Sequence, residues 1–238
     1  MPQVLRAVGR KDLRLAAPPG RGAAVSNDRG SAASSCAAQP RVARFSDATN
    51  ARSRYARSRS RLANALLLTA PGIPMLFMGQ EFLEDKYWSD SPNYFADSLI
   101  WWDGLNSDKA MQDHLRFIRD LIQVRQGHRT LCGDRINVFH VQNDNRVLAF
   151  HRWLDGSGQD VVVALSLCED TWWSYQLGFP IPGDRLDVFN SDVYDNWVNP
   201  AVAGYGGRIT ADAPPLHGFE TSANIVIPTN GILVLAKP

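Results

Sequence analysis

The sequence predicts an α+β chain in which a short run of alternating helix and strand precedes an antiparallel all-β sandwich. Three observations carry that expectation. An amphipathic helical pattern stops at Pro71-Gly72, a wholly apolar run Met75-Leu76-Phe77-Met78 comes at once after it, and beyond Gly133 the apolar period changes from helical to alternating. The chain accordingly divides into residues 1–45, expected to be disordered or out of register with the rest of the chain, residues 46–130, a helix-strand-helix remnant, and residues 131–238, an all-β domain.

From Met1 to Phe45 the composition is Ala, Arg, Gly, Ser and Pro, with no apolar period able to specify a core. Between Ala48 and Thr69 the pattern turns helical: Ala48, Ala51, Tyr55, Leu62 and Leu66 share one face, and Arg54, Arg57 and Arg61 fall near the opposite, solvated one. Ser46 or Asp47 can cap its start. The alternating Arg and Ser of residues 52–61 could track phosphates, but the run continues into the apolar stretch Leu62 to Leu68, which a disordered basic arm does not need. Met75–Met78 reads as a strand covered on both sides, delivering Gln80 and Glu81 at its carboxyl end. A long loop, Phe82 to Leu105, carries Tyr87, Trp88, Tyr94, Phe95, Trp101 and Trp102; loops of that length within domains are often functional. A second helix from Ser107 to Arg125 places Met111, Leu115, Ile118 and Ile122 on one face, with Gly127 to end it. Helix, strand, long loop and helix form the closing portion of a (β/α)8 TIM barrel, a fold that keeps its chemistry at the carboxyl ends of its strands.

After Gly133, strands are expected at 136–141, 146–153, 161–167, 173–179, 186–190, 225–227 and 232–235, separated by Asn, Asp, Gly and Pro turns such as Gln142-Asn143-Asp144-Asn145 and Gly156-Ser157-Gly158. Short strands at this spacing imply an antiparallel sandwich.

Composition narrows the function classes. The formal net charge of +1 gives no overall attraction to nucleic acid or to an anionic membrane, and no apolar run approaches a membrane span or a secretion signal, so the expected compartment is the cytoplasm. Cys36, Cys132 and Cys168 lack metal-ligand spacing and read as reduced thiols; His114, His128, His140, His151 and His217 lack it too. Neither a metal nor a cofactor is expected.

The segment Leu68 to Phe82, with Phe189-Asn190-Ser191-Asp192, Tyr205-Gly206-Gly207, Leu216-His217-Gly218-Phe219 and Ile227 to Ile232, resembles bacterial 1,4-α-glucan branching enzymes of the α-amylase superfamily, glycoside hydrolase family 13. The resemblance covers roughly residues 46–236, the last barrel strand and the all-β carboxyl-terminal domain only. It implies transfer of α-1,4-glucan segments to 6-hydroxyls in glycogen biosynthesis, through a covalent intermediate that needs a carboxylate nucleophile and a carboxylic acid facing each other. In the family these come after the fourth and fifth strands, upstream of anything in this chain. A third, substrate-steadying Asp belongs to a His-Asp motif, and no His-Asp pair occurs here. If Val25-Ser26-Asn27-Asp28 comes directly after that signature, its three positions are Gly22-Ala23-Ala24. No residue is therefore assigned a catalytic role, the chain is expected to be incompetent by itself, and truncation or a frameshift is the expected origin of residues 1–45.

By the same resemblance Gln80 and Glu81 line the edge of the glucan cleft, with a plain structural role for Glu81, held by hydrogen bonds at the strand end, as the alternative. Glu81, Asp85 and Asp90 share one loop, but without a rigid scaffold they make no new acid pair. The second function class is a non-catalytic α-glucan-binding module. Trp172, Trp173, Tyr175, Trp197 and Tyr205 could stack on sugars or simply fill the sandwich; Trp172-Trp173 is the best candidate for stacking, because adjacent strand residues face opposite ways and one of the two is expected to be exposed. The expected partner is an α-glucan, with no nucleic acid and no membrane, and another chain carrying the missing barrel portion stays open. The β domain should fold by itself, with the barrel remnant packed on it imperfectly.

Overall fold

The computed structural model describes residues 41–87, 99–204 and 206–238. Its helices are α1 (Val42–Ser46), α2 (Arg54–Thr69), α3 (Gly104–Ser107), α4 (Lys109–Gly127) and α5 (Arg129–Cys132), with a 3-10 turn at Gln80–Phe82. The strands are β1 (Ile136–Gln142), β2 (Val147–Trp153), β3 (Asp160–Ser166), β4 (Trp172–Phe179), β5 (Gly183–Asn190), β6 (Arg208–Ala211), β7 (Thr221–Ile227) and β8 (Ile232–Ala236).

The long helix starts later than expected because its cap is Ser53, whose hydroxyl accepts from the Ala56 amide at 3.1 Å. Asp47 instead closes a turn, accepting from the Thr49 and Asn50 amides. Residues 42–46, placed by the sequence in or beside the disordered stretch, form α1; residues 1–40 lie outside the described residues. In α4, capped by Asp108, the buried face is Met111, His114, Phe117, Ile118, Leu121 and Arg125, rotated slightly from the one expected. The rotation brings the Arg125 guanidinium to the carbonyls of Leu68, Ala70 and Gly72, where it satisfies the orphan acceptors at the end of α2.

The β region is an antiparallel sandwich: a six-stranded sheet in the order β1-β2-β3-β8-β5-β6 faces a two-stranded sheet, β4-β7. Strand β6 was missed because only four residues, Arg208 to Ala211, carry its pattern. The central strands β3 and β8 are buried on both faces. One face packs on β4-β7 through Val162, Ala164, Leu177, Phe179, Ile225 and Leu233. The other packs on the helices, where Leu62, Ala65, Leu68, Phe117, Ile118 and Leu121 share one core with Phe150, Val161, Val163, Phe189 and Val234.

Through that shared core α2 and α4 seal one face of the sheet, while Ile73, Met75 and Met78 stay exposed, so the packing of residues 46–130 is complete at the helices and incomplete at residues 73–78. Fully buried Arg152 on β2 fastens the layers, donating to the carbonyls of Thr69, Leu131, Gly133 and Arg135. Two further expectations are corrected. The arginine face of α2 is solvated only at Arg54, since Arg61 is buried, Arg57 is half-buried, and Arg54, Arg57 and Arg61 converge on Asp195 at 3.4, 3.0 and 3.3 Å. And Met75–Met78 forms no strand. From Ile73 to Phe77 exposure alternates as a strand's would, with Ile73 at 98% and Met75 at 79% outward and Leu76 packed inward, but Met78 breaks the alternation and no described strand lies beside the segment to complete a ladder.

Candidate functional site

The expected rim of the cleft splits into two different environments. Gly79, at φ 85°, turns the chain into the Gln80–Phe82 turn. Gln80 points inward: its side-chain oxygen accepts from the Phe77 amide at 3.1 Å and its amide nitrogen donates to Asn64. Asn64 in turn meets His114 Nε2 at 2.9 Å, so Gln80 ends a buried polar relay that joins the turn to α2 and α4. The His114 ring is neutral; burial first, then the Arg61 and Arg52 charges, push its pKa down to about 3.

Glu81 is half-buried, and among the described residues no hydrogen bond ties its carboxylate. The carboxylate held at this turn is Glu84, which sequence reasoning missed. Glu84 is 2% exposed and accepts from the amides of Asp85 at 3.0 Å, Lys86 at 3.1 Å and Trp101 at 2.7 Å. Asp85 is tied by Arg44 at 3.2 Å and Arg52 at 3.1 Å, and Asp90 lies outside the described residues. Tyr87, Trp101 and Trp102 are exposed beside the turn; Trp88, Tyr94 and Phe95 also lie outside the described residues.

The predicted stacking pair divides as strand geometry requires. Trp172 turns into the sandwich and meets Tyr175 edge-on at 5.8 Å, which leaves Trp173 as the member of the pair open to a ligand. Trp173 is 70% exposed, lifted by a bulge between Trp172 and Tyr175. Tyr175 is buried, with its hydroxyl 2.6 Å from His140 Nε2. Trp197 is stacked on Tyr194 at 5.2 Å and covered by Arg116 at 4.3 Å; Tyr205 is outside the described residues.

A cleft of about 370 Å³ lies beside β5, lined by Asp187, Phe189, Tyr194, Trp197, Gly204 and Gly206 among others. Asp187 Oδ1 is buried with no partner, and burial raises its carboxyl to about 6, with the Phe189 amide opposing in part. Among the described residues no group of three or more His, Cys, Asp or Glu could hold a metal ion, and no helix is long and apolar enough to cross a membrane.

Residues 139–237 match the family described as alpha amylase, C-terminal all-beta domain. This part of the chain is similar to such a domain. Over a longer span the chain is similar to the 1,4-alpha-glucan branching enzyme GlgB of Synechococcus sp. (strain CC9902), 31% identical over 189 residues that cover 76% of this chain and 23% of the relative. GlgB of Mycolicibacterium paratuberculosis (strain ATCC BAA-968 / K-10) is 32% identical over 174 residues, 69% of this chain and 22% of that enzyme. The chain thus spans about a quarter of the length of the curated relatives it matches and corresponds to their carboxyl-terminal region. In fold it is similar to the pullulanase of Bacillus acidopullulyticus, with TM-score 0.57 and 16% identity over 82% of this chain and 22% of that one. It is similar also to the pullulanase of Anoxybacillus sp. LM18-11, solved with maltotetraose, with TM-score 0.55 and 20% identity over 82% of this chain and 25% of that one. The amylase-type domain accounts for the sandwich, and the branching-enzyme likeness reaches upstream of it.

Proposed function

We propose that this chain is the carboxyl-terminal part of a 1,4-α-glucan branching enzyme of cytoplasmic glycogen synthesis, and that alone it transfers no glucan. The observation that carries this reading is the bare ridge at residues 73–75. Among the described residues no strand lies beside outward Ile73 and Met75, as an alternating apolar segment calls for, while inward Leu76 is seated in the shared core. Strand addition along such an edge supplies main-chain hydrogen bonds and apolar pockets together. Its proposed occupant is a polypeptide carrying the rest of a β/α barrel, with Glu81 facing the joined cleft.

The chemistry agrees. A retaining transfer needs two carboxyl groups about 5–5.5 Å apart across the scissile bond. Here Glu84 is locked by amides and Asp85 by arginines, which leaves Glu81 without a partner acid among the described residues of the turn. An iodine-glucan branching assay of the isolated chain should give no activity, and measurable branching would overturn the reading. Mixing with a polypeptide that carries the first seven barrel strands should restore activity and slow amide exchange at residues 73–77.

One observation favours a second, non-catalytic role. Exposed Trp173 on its bulge offers a ring face to an α-glucan. Retardation in glycogen-containing native gels, lost in Trp173→Ala and kept in Trp173→Phe, supports this role; equal mobility with and without glycogen removes it.

A further inference from the structure

We infer that Glu84 is a positioning residue that ties Asp85 and Lys86 to Trp101 and so sets where Tyr87, Trp101 and Trp102 stand on the surface. The inference goes beyond the branching reading and does not depend on it.

The entry of the loop is fastened from outside by three arginines. Arg41 Nε donates to the Lys86 carbonyl at 2.9 Å, Arg44 Nε to the Asp85 carbonyl at 3.0 Å, and Arg52 Nη1 to the Leu83 carbonyl at 3.1 Å. The exit is fastened separately, by packing. Trp102 meets Phe82 with ring centroids 5.3 Å apart, and a Cβ on Gly104 would fall 2.8 Å from the Trp101 ring and 2.3 Å from Met111 Sδ.

Among the described residues the direct hydrogen-bonded link between entry and exit is the Glu84 carboxylate. One oxygen accepts from the Asp85 and Lys86 amides, and the other accepts from Trp101. Amide bonds to an ionised carboxylate in a buried setting are among the stronger hydrogen bonds a protein makes. The backbone is built to admit this side chain: Glu84 N donates to the Gly79 carbonyl at 3.0 Å, and a Cβ on Gly79 would lie 2.7 Å from Glu84 Cβ. Gly79 therefore serves two needs at once, the left-handed turn and room for the clasp.

Sequence spacing alone points to Glu81, because it ends the apolar run. Only the turn geometry shows that the chain comes round far enough for Glu84 to reach across the loop.

Hydrogen-deuterium exchange on the whole chain tests this, with Glu84→Ala, Glu84→Gln and Gly79→Ala. Loss of a bond to a charged acceptor is expected to speed exchange at the Asp85, Lys86 and Trp101 amides about tenfold or more in Glu84→Ala. Exchange at residues 161–165 of the sandwich should be unchanged. Glu84→Gln keeps one acceptor oxygen and replaces the other with an NH2 that cannot accept, so it should hold protection on one side of the clasp only, at Asp85 and Lys86 or at Trp101. Gly79→Ala, which displaces the clasp from the other side, should reproduce the Glu84→Ala pattern. Trp101 exchange in Glu84→Ala equal to that of the unsubstituted chain would overturn the inference, as would a Glu84→Gln variant that protects the Asp85, Lys86 and Trp101 amides as well as the unsubstituted chain does.

Discussion

Phe117→Ala is the sharpest test of how the helices and the sandwich are joined. Phe117 on α4 is fully buried, 5.5 Å from the Phe189 ring on β5 and 5.4 Å from the Tyr194 ring. An aromatic side chain buries roughly 150 Å² or more, which at about 25 cal/mol per Å² is close to 4 kcal/mol. The ring-ring contacts add about 1 kcal/mol, and the sum lies within the roughly 3–5 kcal/mol seen for Phe→Ala in well-packed cores. Total stabilities run to about 5–15 kcal/mol, so the variant should lose a large share of its margin. With a urea slope of about 2 kcal/mol per molar, the midpoint should drop by about 2 M. The assay is urea unfolding monitored by amide exchange in two places, residues 62–68 of α2 and residues 161–165 of β3. One shared core requires protection at both to fall together. If α2 and α4 lose protection while β3 keeps it, the helices and the sheet are separate units and the reasoning fails.

Three further predictions concern buried charge. Asp195→Asn leaves Arg61 buried without its counter-charge and should cost about 3–5 kcal/mol in thermal or urea unfolding. Burial alone would raise the Asp195 carboxyl, but Arg61 and Arg57 hold it below its ordinary value. Its contribution is thus present above about pH 4 and lost as pH falls through the lowered value, and the Asp195→Asn variant should show a flatter acid limb. His114 is neutral when folded and titrates near 6.5 when unfolded, so the unfolded chain binds the extra proton as pH falls from about 6.5 to about 3. Stability should fall by up to about 1.4 kcal/mol per pH unit over that window, and His114→Gln, which keeps a partner for Asn64, should remove the slope in stability measured against pH. Asp187 has the opposite sign: raised to about 6, it supports the fold fully below the ordinary carboxylate range and loses that contribution as pH rises through 6. Asp187→Asn should therefore raise stability at pH 7 by roughly 1–3 kcal/mol, read from the denaturation midpoint.

Much of the fold was legible in the residues. Strands β1, β2, β3, β4 and β8 sit within a residue or so of where the alternating pattern puts them, since burial on one or both faces of a sheet imposes a period of two. Helix α4 was legible for the corresponding reason. Errors fall where partners in space outvote the local pattern. Residues 75–78 have a strand's sequence but no adjoining strand among the described residues, and backbone donors and acceptors define a strand only when paired. The arginines of α2 look like a solvated face until Asp195, more than 130 residues away along the chain, comes to meet them. Trp172 and Trp173 were correctly read as facing opposite ways; which of them faces out was decided by the bulge.

By itself the sequence determined the family likeness, the sandwich, the helical nature of residues 54–69 and 109–127, and the absence of a His-Asp pair, because these are properties of residue identity and local period. Tertiary structure alone decided that the helices share the sandwich's core, that Glu84 and not Glu81 is the carboxylate held at the turn, and that Gln80 is turned inward to Asn64. Each of these depends on which distant groups meet in a buried, low-dielectric space. There an unpaired charge or amide is costly, and the chain settles on the arrangement that satisfies most of them.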